Sequence, residues 1–200
     1  MGRIIAAAVL GASCLAASAV AGEYEPFTHD ALGVTLNVPP GYEAEEAAPA
    51  EGTTVTAVRL SWPEGPHAGL EALITRREAA YANVVIWAGF YQRRLGASSS
   101  FEVDGEVLGE AELAAAGADD GLRNSYVVGE QEGRRRLEVL FLTSGNNLYV
   151  AELSHPEVVE NRLAAAAQEM LSTIKILPSV EEEKAEASGG RDAGMEPPSE

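Results

Sequence analysis

The stretch that decides the fold is residues 121–177, GLRNSYVVGEQEGRRRLEVLFLTSGNNLYVAELSHPEVVENRLAAAAQEMLSTIKIL. Three of its segments are apolar and strand-like: Leu122–Val128, Arg135–Leu142 and Leu148–Leu153. Gly133 and Ser144–Asn147 fall in the short gaps between them, where glycine and asparagine favour hairpin turns. The amphipathic segment Pro156–Leu171 follows at once. This order predicts an antiparallel three-stranded meander closed by a helix.

The second and third of these strands are apolar on both faces. Alternation places Leu137, Val139 and Phe141 on one face of the second strand and Leu140 and Leu142 on the other. A sheet with one face in water would instead alternate apolar and polar residues. We therefore predict an α+β fold, an antiparallel sheet of about six or seven strands with helices on both faces, or α/β/α sandwich.

The rest of the chain supplies the remaining elements. Further strands are predicted at Tyr24–Thr28, Val34–Val38, Thr53–Trp62, Glu71–Arg77 and Phe101–Leu113, with a short edge strand within Thr173–Leu177. Surface loops are predicted at Glu43–Gly52 and Ala114–Asp120.

Two helices are predicted to cover the sheet. The first is Glu78–Leu95, ending at Gly96, with an apolar stripe made of Tyr81, Val84, Val85, Ala88, Tyr91 and Leu95. The closing helix has a Ser-x-x-Glu capping box at Ser154 and Glu157, with Pro156 in its first turn.

The N-terminal residues 1–21 have the pattern of a signal peptide. Arg3 precedes the apolar run Ile4–Leu10, and Ala19–Ala21 gives a small-x-small cleavage site. Cleavage is favoured over retention as a membrane anchor, because the segment is mostly Ala, Ser and Gly. Lipid attachment at Cys14 is disfavoured, because Gly11 stands where a lipobox has leucine. We expect an exported protein, periplasmic or extracellular, without stable membrane insertion after cleavage.

The folded domain is predicted at residues 22–178, followed by an acidic tail at 179–200. The tail holds seven acidic and two basic residues and few bulky apolar ones, which is typical of disorder. The whole chain has a formal net charge of −17. This charge disfavours nucleic acids and anionic membrane surfaces as partners, because both are recognised by lysine and arginine.

The chain resembles the PsbP/Mog-like fold, including small exported bacterial proteins of that group. The resemblance rests on Phe27, Leu32–Val34 and Val38–Tyr42 at the start, on the hairpin Leu137–Val139 with Leu148–Val150, and on Met170–Ile174. It covers about residues 24–177. It implies an α/β/α sandwich that serves as an accessory or binding module, with no shared catalytic residue.

No combination of residues predicts catalysis or a cofactor. His29, His67 and His155 are widely separated and lack metal-ligand spacing. There is no Gly-x-Ser-x-Gly elbow, and the one cysteine lies in the leader. Asp119-Asp120-Gly121 favours a turn over a calcium site. Arg134–Arg136 is expected to pair with nearby acids such as Glu130 and Glu132. We therefore expect no cofactor, no metal and no enzymatic activity.

The most suggestive feature is a second face of the first predicted helix. Asn83, Trp87, Phe90 and Arg94 follow one another at steps of four, three and four, with Arg93 beside them. If the apolar stripe faces the sheet, Trp87 and Phe90 face solvent. Trp and Arg are enriched in interface hot spots, so Trp87, Phe90, Arg93 and Arg94 are a candidate docking surface. The alternative is that the helix sits deeper and a loop, 43–52 or 97–100, covers the aromatic pair.

These observations favour an exported, non-catalytic accessory module that binds another envelope or extracytoplasmic protein through its surface. One alternative is small-molecule binding in a pocket between sheet and helix. A hydrolase or metal-dependent enzyme is a remote alternative.

Overall fold

The computed structural model describes residues 24–47, 55–79, 83–96, 102–129, 133–157 and 161–178. The predicted signal peptide and acidic tail lie outside these residues.

The described residues form strands and helices in an α+β order. The strands are β1 Glu25–His29, β2 Val34–Val38, β3 Glu43–Ala47, β4 Val55–Ser61, β5 Glu71–Glu78, β6 Glu102–Val107, β7 Asp120–Val128, β8 Arg135–Ser144, β9 Asn147–Pro156 and β10 Lys175–Ile176. The helices are α1 Val84–Gly96, α2 Glu110–Ala116 and α3 Asn161–Thr173, and Gly65–His67 is a 3-10 turn.

The main sheet has seven strands in the order β3-β4-β5-β9-β8-β7-β6, and all neighbours are antiparallel. The predicted meander is confirmed as β7-β8-β9, and the predicted strand at Glu71–Arg77 is confirmed as β5. In the β8–β9 hairpin Ser144 pairs with Asn147, and Gly145 adopts a positive φ of 54°. The Gly145 N–H donates to Asp119 Oδ2 over 2.8 Å, so Asp119 stabilises this turn.

A second, three-stranded sheet joins the two ends of the described chain. Its order is β1-β2-β10, with β10 antiparallel to β2. The short C-terminal edge strand is thereby confirmed, although its partner is the N-terminal strand β2 and not the main sheet.

Both faces of the main sheet are buried, as predicted. One core lies under α1 and contains Leu137, Val139, Phe141, Leu148 and Val150. The other lies under α3, α2 and the small sheet and contains Leu140, Leu142, Tyr149, Ala151 and Leu153. The strand β8 contributes residues to both cores. The apolar pattern on its two faces therefore correctly predicted that the sheet is covered on both sides.

The predicted start of the closing helix is wrong. Ser154, His155 and Pro156 belong to β9, where they pair with Leu137, Arg136 and Arg135. The helix α3 begins only at Asn161. The capping-box spacing is a weak local signal, and the ladder formed with the long strand β8 overrides it.

The predicted loop at Glu43–Gly52 is wrong in its first half. Glu43–Ala47 is the edge strand β3, in register with Ser61–Ala57 of β4. Four of its five residues are exposed, and three of them are glutamates. Charged side chains protect an exposed sheet edge from pairing with another chain, which explains why this strand has a loop-like composition. Residues 48–52 lie outside the described part.

The segment 101–120 also differs from its prediction. The strand β6 ends at Val107, and the alanine-rich stretch Glu110–Ala116 forms α2, which sequence reasoning missed. Glu112 Oε2 accepts the Gly109 N–H over 3.0 Å, and Gly117 ends the helix with a φ of 66°. At the other predicted helix, Glu78 belongs to β5, so α1 starts later than expected.

Gly121 allows α2 to pack tightly on the sheet. A Cβ built on Gly121 would lie 2.6 Å from Leu108 Cδ1 and 3.0 Å from both Leu113 Cδ2 and Leu142 Cδ2. The Asp119-Asp120-Gly121 motif therefore serves packing and the hairpin turn.

We expect Gly121→Ala to lower the free energy of unfolding by about 1–3 kcal/mol, because the added methyl overpacks the contact between α2 and β7. Urea denaturation followed by circular dichroism measures this change. Gly133→Ala is the matched control, because a Cβ there meets no atom within 4 Å. Equal stability of the two variants would contradict the proposed role of Gly121.

Candidate docking surface on the first helix

The helix α1 is fixed to the sheet along one narrow face. Asn83 Oδ1 accepts the Ile86 N–H over 3.0 Å, as an N-cap residue does. Val84, Ala88 and Tyr91 follow at steps of four and three and are buried. Tyr91 packs edge-on against Phe141 with a ring separation of 5.7 Å. The sequence prediction placed Asn83 on the docking face, but its side chain caps the helix.

The outer surface of α1 is unusually apolar. Val85, Ile86 and Phe90 are 62%, 58% and 52% exposed. Among the described residues only Val107 is a further large hydrophobic with comparable exposure. Val85 was predicted to face the sheet, and this is wrong, because the sheet-facing stripe is narrower than the sequence pattern implied. Tyr81, also assigned to that stripe, lies outside the described residues.

The two predicted aromatic residues differ in exposure. Phe90 is exposed, whereas Trp87 is half-buried and packs against the core under α1. Their rings meet edge-on at 5.8 Å. The Arg77 guanidinium lies 4.9 Å from the centre of the Trp87 ring, and the Arg93 guanidinium lies 5.7 Å from that of Phe90. Each such cation–π contact is worth about 0.5–1 kcal/mol at an exposed site.

A second row of contacts joins α1 to β9. The Tyr91 hydroxyl donates to Glu152 Oε2 over 2.6 Å, and Arg94 Nη2 lies 3.6 Å from Glu152 Oε1. The Arg94 guanidinium also lies 4.8 Å from the centre of the Tyr91 ring. Burial of the phenol, and secondarily the neighbouring Glu152 carboxylate, raises the pKa of Tyr91 well above its ordinary value. Tyr91 is therefore a neutral hydrogen-bond donor over the physiological range.

A groove of about 320 Å³ separates α1 from strands β5 and β9. Trp87, Phe90 and Arg94 line it, and Arg93 lies beside Phe90. The structure thus brings the predicted docking residues together. We call the exposed part of α1 with this groove the α1 surface; it comprises Arg77, Val85, Ile86, Trp87, Phe90, Arg93 and Arg94.

Sequence reasoning missed Arg77 and Glu152. Leu73, Thr75 and Arg77 alternate along β5 and line the groove together, and Val150 and Glu152 do the same on β9. The alternation of side chains along a strand would have placed Arg77 on the same face as Leu73 and Thr75, and Glu152 on the same face as Val150. It could not have shown that this face lies beside α1, since that depends on which strands are neighbours.

The arginine run Arg134–Arg136 forms structural contacts. Arg134, Arg135 and Arg136 contact Glu157, Glu71 and Glu138 at 2.8, 3.3 and 3.8 Å. The arginine run thus pairs with acids as expected: Glu138 is near in the chain, whereas Glu157 and Glu71 are distant in it. Glu130 and Glu132 lie outside the described residues.

Two of the histidines, His29 and His155, make local contacts. His29 Nε2 contacts Glu46 Oε1 at 2.8 Å, which ties β1 to the edge strand β3. His155 is buried in β9, with Nδ1 3.0 Å from the Pro156 carbonyl oxygen. Within the described ranges, no three His, Cys, Asp or Glu side chains come together in a way that could hold a metal ion.

Comparison with solved structures shows which known fold the chain resembles. No protein-family model matches the chain, and no curated protein matches its sequence. The chain is similar to the solution structure of cyanobacterial PsbP (CyanoP) from Synechocystis sp. PCC 6803, with a TM-score of 0.58 and 12% identity. The match covers 80% of this chain and 95% of that one. The fold is therefore PsbP-like. The Mog-like and exported parts of the resemblance stay predictions.

Two further solved structures are more distant. A protein from Bacteroides thetaiotaomicron has a TM-score of 0.46 and 13% identity, and the match covers 74% of this chain and 46% of that one. The protein PA94 from Pseudomonas aeruginosa has a TM-score of 0.46 and 11% identity, with 79% and 100% covered. Neither likeness is strong enough to support an argument.

None of the helices in the described part of the chain has the length and apolar character needed to cross a membrane.

We expect the free energy of unfolding to fall as the pH rises above about 10, the ordinary pKa of tyrosine. In that range the unfolded chain releases the Tyr91 proton, whereas the folded chain keeps it because its pKa is raised. The unfolded state then binds fewer protons, so its free energy drops relative to the folded state, by about 1.4 kcal/mol per pH unit for one such group.

Tyr91→Phe removes the Tyr91 contribution to this slope. Urea denaturation of both proteins at pH 8, 10 and 11 measures the difference. The difference in stability between the natural protein and the variant should shrink as the pH rises. A difference independent of pH would contradict the raised pKa.

Proposed function

We propose that this protein is an exported, non-catalytic accessory module that binds another extracytoplasmic protein through the α1 surface. The observation that supports the proposal most directly is the exposure of Val85, Ile86 and Phe90 on one helix. Clustered apolar residues on a surface are typical of protein interaction sites.

The charge of the α1 surface favours an acidic partner. Arg77, Arg93 and Arg94 lie on or beside this surface, in a chain whose net charge is −17. Arg77 lines the groove, so its guanidinium can pair with a carboxylate that enters it. A locally positive surface attracts an acidic patch on the partner, whereas the rest of this acidic molecule repels it.

The form of the surface favours a side chain from the partner entering the groove. The groove walls are Leu73, Leu148 and Val150 on the sheet and Trp87 and Phe90 on the helix. An apolar or aromatic side chain would bury against them, while carboxylates on either side would meet Arg77 and Arg93. Buried aromatic anchors with charged neighbours are the common composition of interface hot spots.

The contacts within the groove support a binding role over catalysis. Glu152 already contacts Tyr91 and Arg94, and the raised pKa of Tyr91 keeps its phenol protonated at neutral pH, so it cannot accept a proton there. These groups hold α1 on the sheet and position the aromatic pair.

The test is affinity capture of partners from an envelope extract with the tagged, leaderless protein, quantified by mass spectrometry. We expect at least one protein with an acidic surface to be captured by the natural protein and lost with Phe90→Ser and with Arg93→Glu. Its capture should weaken as salt is raised from 50 to 500 mM, because the charge contribution is screened.

Val107→Ser is the matched control, because Val107 is 67% exposed but lies on β6 and is not part of the α1 surface. A partner lost equally with Val107→Ser does not bind the α1 surface. If each captured protein were retained by both α1 variants, the proposal would be wrong.

A further inference from the structure

The opposite face of the sheet carries two adjoining grooves that meet at Arg123. The first, of about 240 Å³, lies between α2 and the end of α3 and is mainly apolar. Its apolar walls include Leu108, Ala111, Ala115, Leu140 and Leu171. The second, of about 440 Å³, is polar and lies over β6, β7 and β8 beside Gln168 of α3. Arg123 of β7 lines both grooves.

Two charged groups of the polar groove, Arg136 and Glu138, are matched to each other. Arg136 Nη1 donates to Ser125 Oγ over 3.1 Å, and Ser125 Oγ donates to Glu138 Oε1 over 3.0 Å. Arg136 also lies 3.8 Å from Glu138, whose side chain is only 9% exposed. The buried carboxylate of Glu138 is therefore balanced by Arg136.

Arg123 is incompletely matched. Its Nη2 lies 3.9 Å from Glu112 Oε1, a long contact with a half-exposed carboxylate. Glu112 is itself held by the Gly109 N–H at the start of α2, which limits its approach to Arg123. Arg123 Nε is buried and has no hydrogen-bond partner. A buried N–H of a permanently charged group that lacks an acceptor is costly and is normally satisfied by a partner.

We infer that this site binds a small anionic amphiphile, with a carboxylate head on Arg123 and an apolar chain in the groove between α2 and α3. The guanidinium fork of arginine matches a carboxylate with two parallel hydrogen bonds. Three carboxylates, Glu106, Glu112 and Glu138, line the two grooves together with Arg123 and Arg136, so a head with one negative charge suits the site better than one with two. Apolar walls with a few placed polar groups are the usual composition of small-molecule sites.

The alanines of α2 make room for the chain. Ala111 and Ala115 are exposed along the groove, one helical turn apart, and opposite them lie the buried Leu140 and Leu171. A larger residue at either alanine would occupy the groove without disturbing the core. This site lies on the face of the sheet opposite α1, so its occupancy is independent of the proposed protein docking.

The test uses octanoate as the probe and isothermal titration calorimetry on the leaderless protein. We expect saturable binding at one site, weakened at least tenfold by Arg123→Gln. Octanamide, which has the same chain but no charge, should bind at least tenfold more weakly than octanoate.

Ala115→Phe should abolish octanoate binding by filling the groove. Ala114→Phe is the matched control, because Ala114 is exposed on α2 but does not line the groove. Thermal melting checks that each variant is folded. If Arg123→Gln does not fold, the inference is tested by the two alanine variants and by the comparison of octanoate with octanamide. No saturable binding, equal binding of octanoate and octanamide, or equal effects of the two alanine variants would overturn the inference.

Discussion

The structure depends on the burial of β8 on both of its faces. Val139 and Phe141 face α1, whereas Leu140 and Leu142 face α2 and α3, and all four are at most 2% exposed. Full burial of each such side chain contributes about 1.5–3 kcal/mol. Neither helix layer could be removed without exposing half of this strand. The three-layer order of the domain follows from that single constraint.

Two-sided burial also separates the molecule into two chemically different surfaces. On one side a single helix, α1, covers only part of the sheet, which leaves a groove beside β5 and β9 with aromatic and arginine side chains around it. On the other side α2 and α3 lie next to each other, and the space between them ends at Arg123. The first groove arises because α1 is narrower than the sheet that it covers, and the second because α2 and α3 leave a gap between them. The binding capacity that we propose for each face is thus a consequence of how the layers fit.

Local sequence patterns predicted the strands of the meander, the two-sided sheet and the grouping of Trp87, Phe90, Arg93 and Arg94 on α1. They failed where long-range pairing decided the outcome. Ser154–Pro156 has a helix-start pattern, yet these residues complete the ladder between β9 and β8. Glu43–Ala47 has the composition of a loop, yet it forms an edge strand along β4. Val85 belongs to the apolar stripe of α1 by spacing but lies outside the contact with the sheet.

The sequence by itself determined the layered α+β architecture, because apolar residues on both faces of a strand must be covered whatever the topology. It also determined the composition of the α1 surface, since Trp87, Phe90, Arg93 and Arg94 are close together in the chain. Only the tertiary structure decided which distant residues join them. Arg77 and Glu152 reach α1 because β5 and β9 are neighbours, and Arg123 lies between the grooves because α2 packs on β7 at Gly121. Such contacts depend on strand order and helix placement, which no local pattern in the chain encodes.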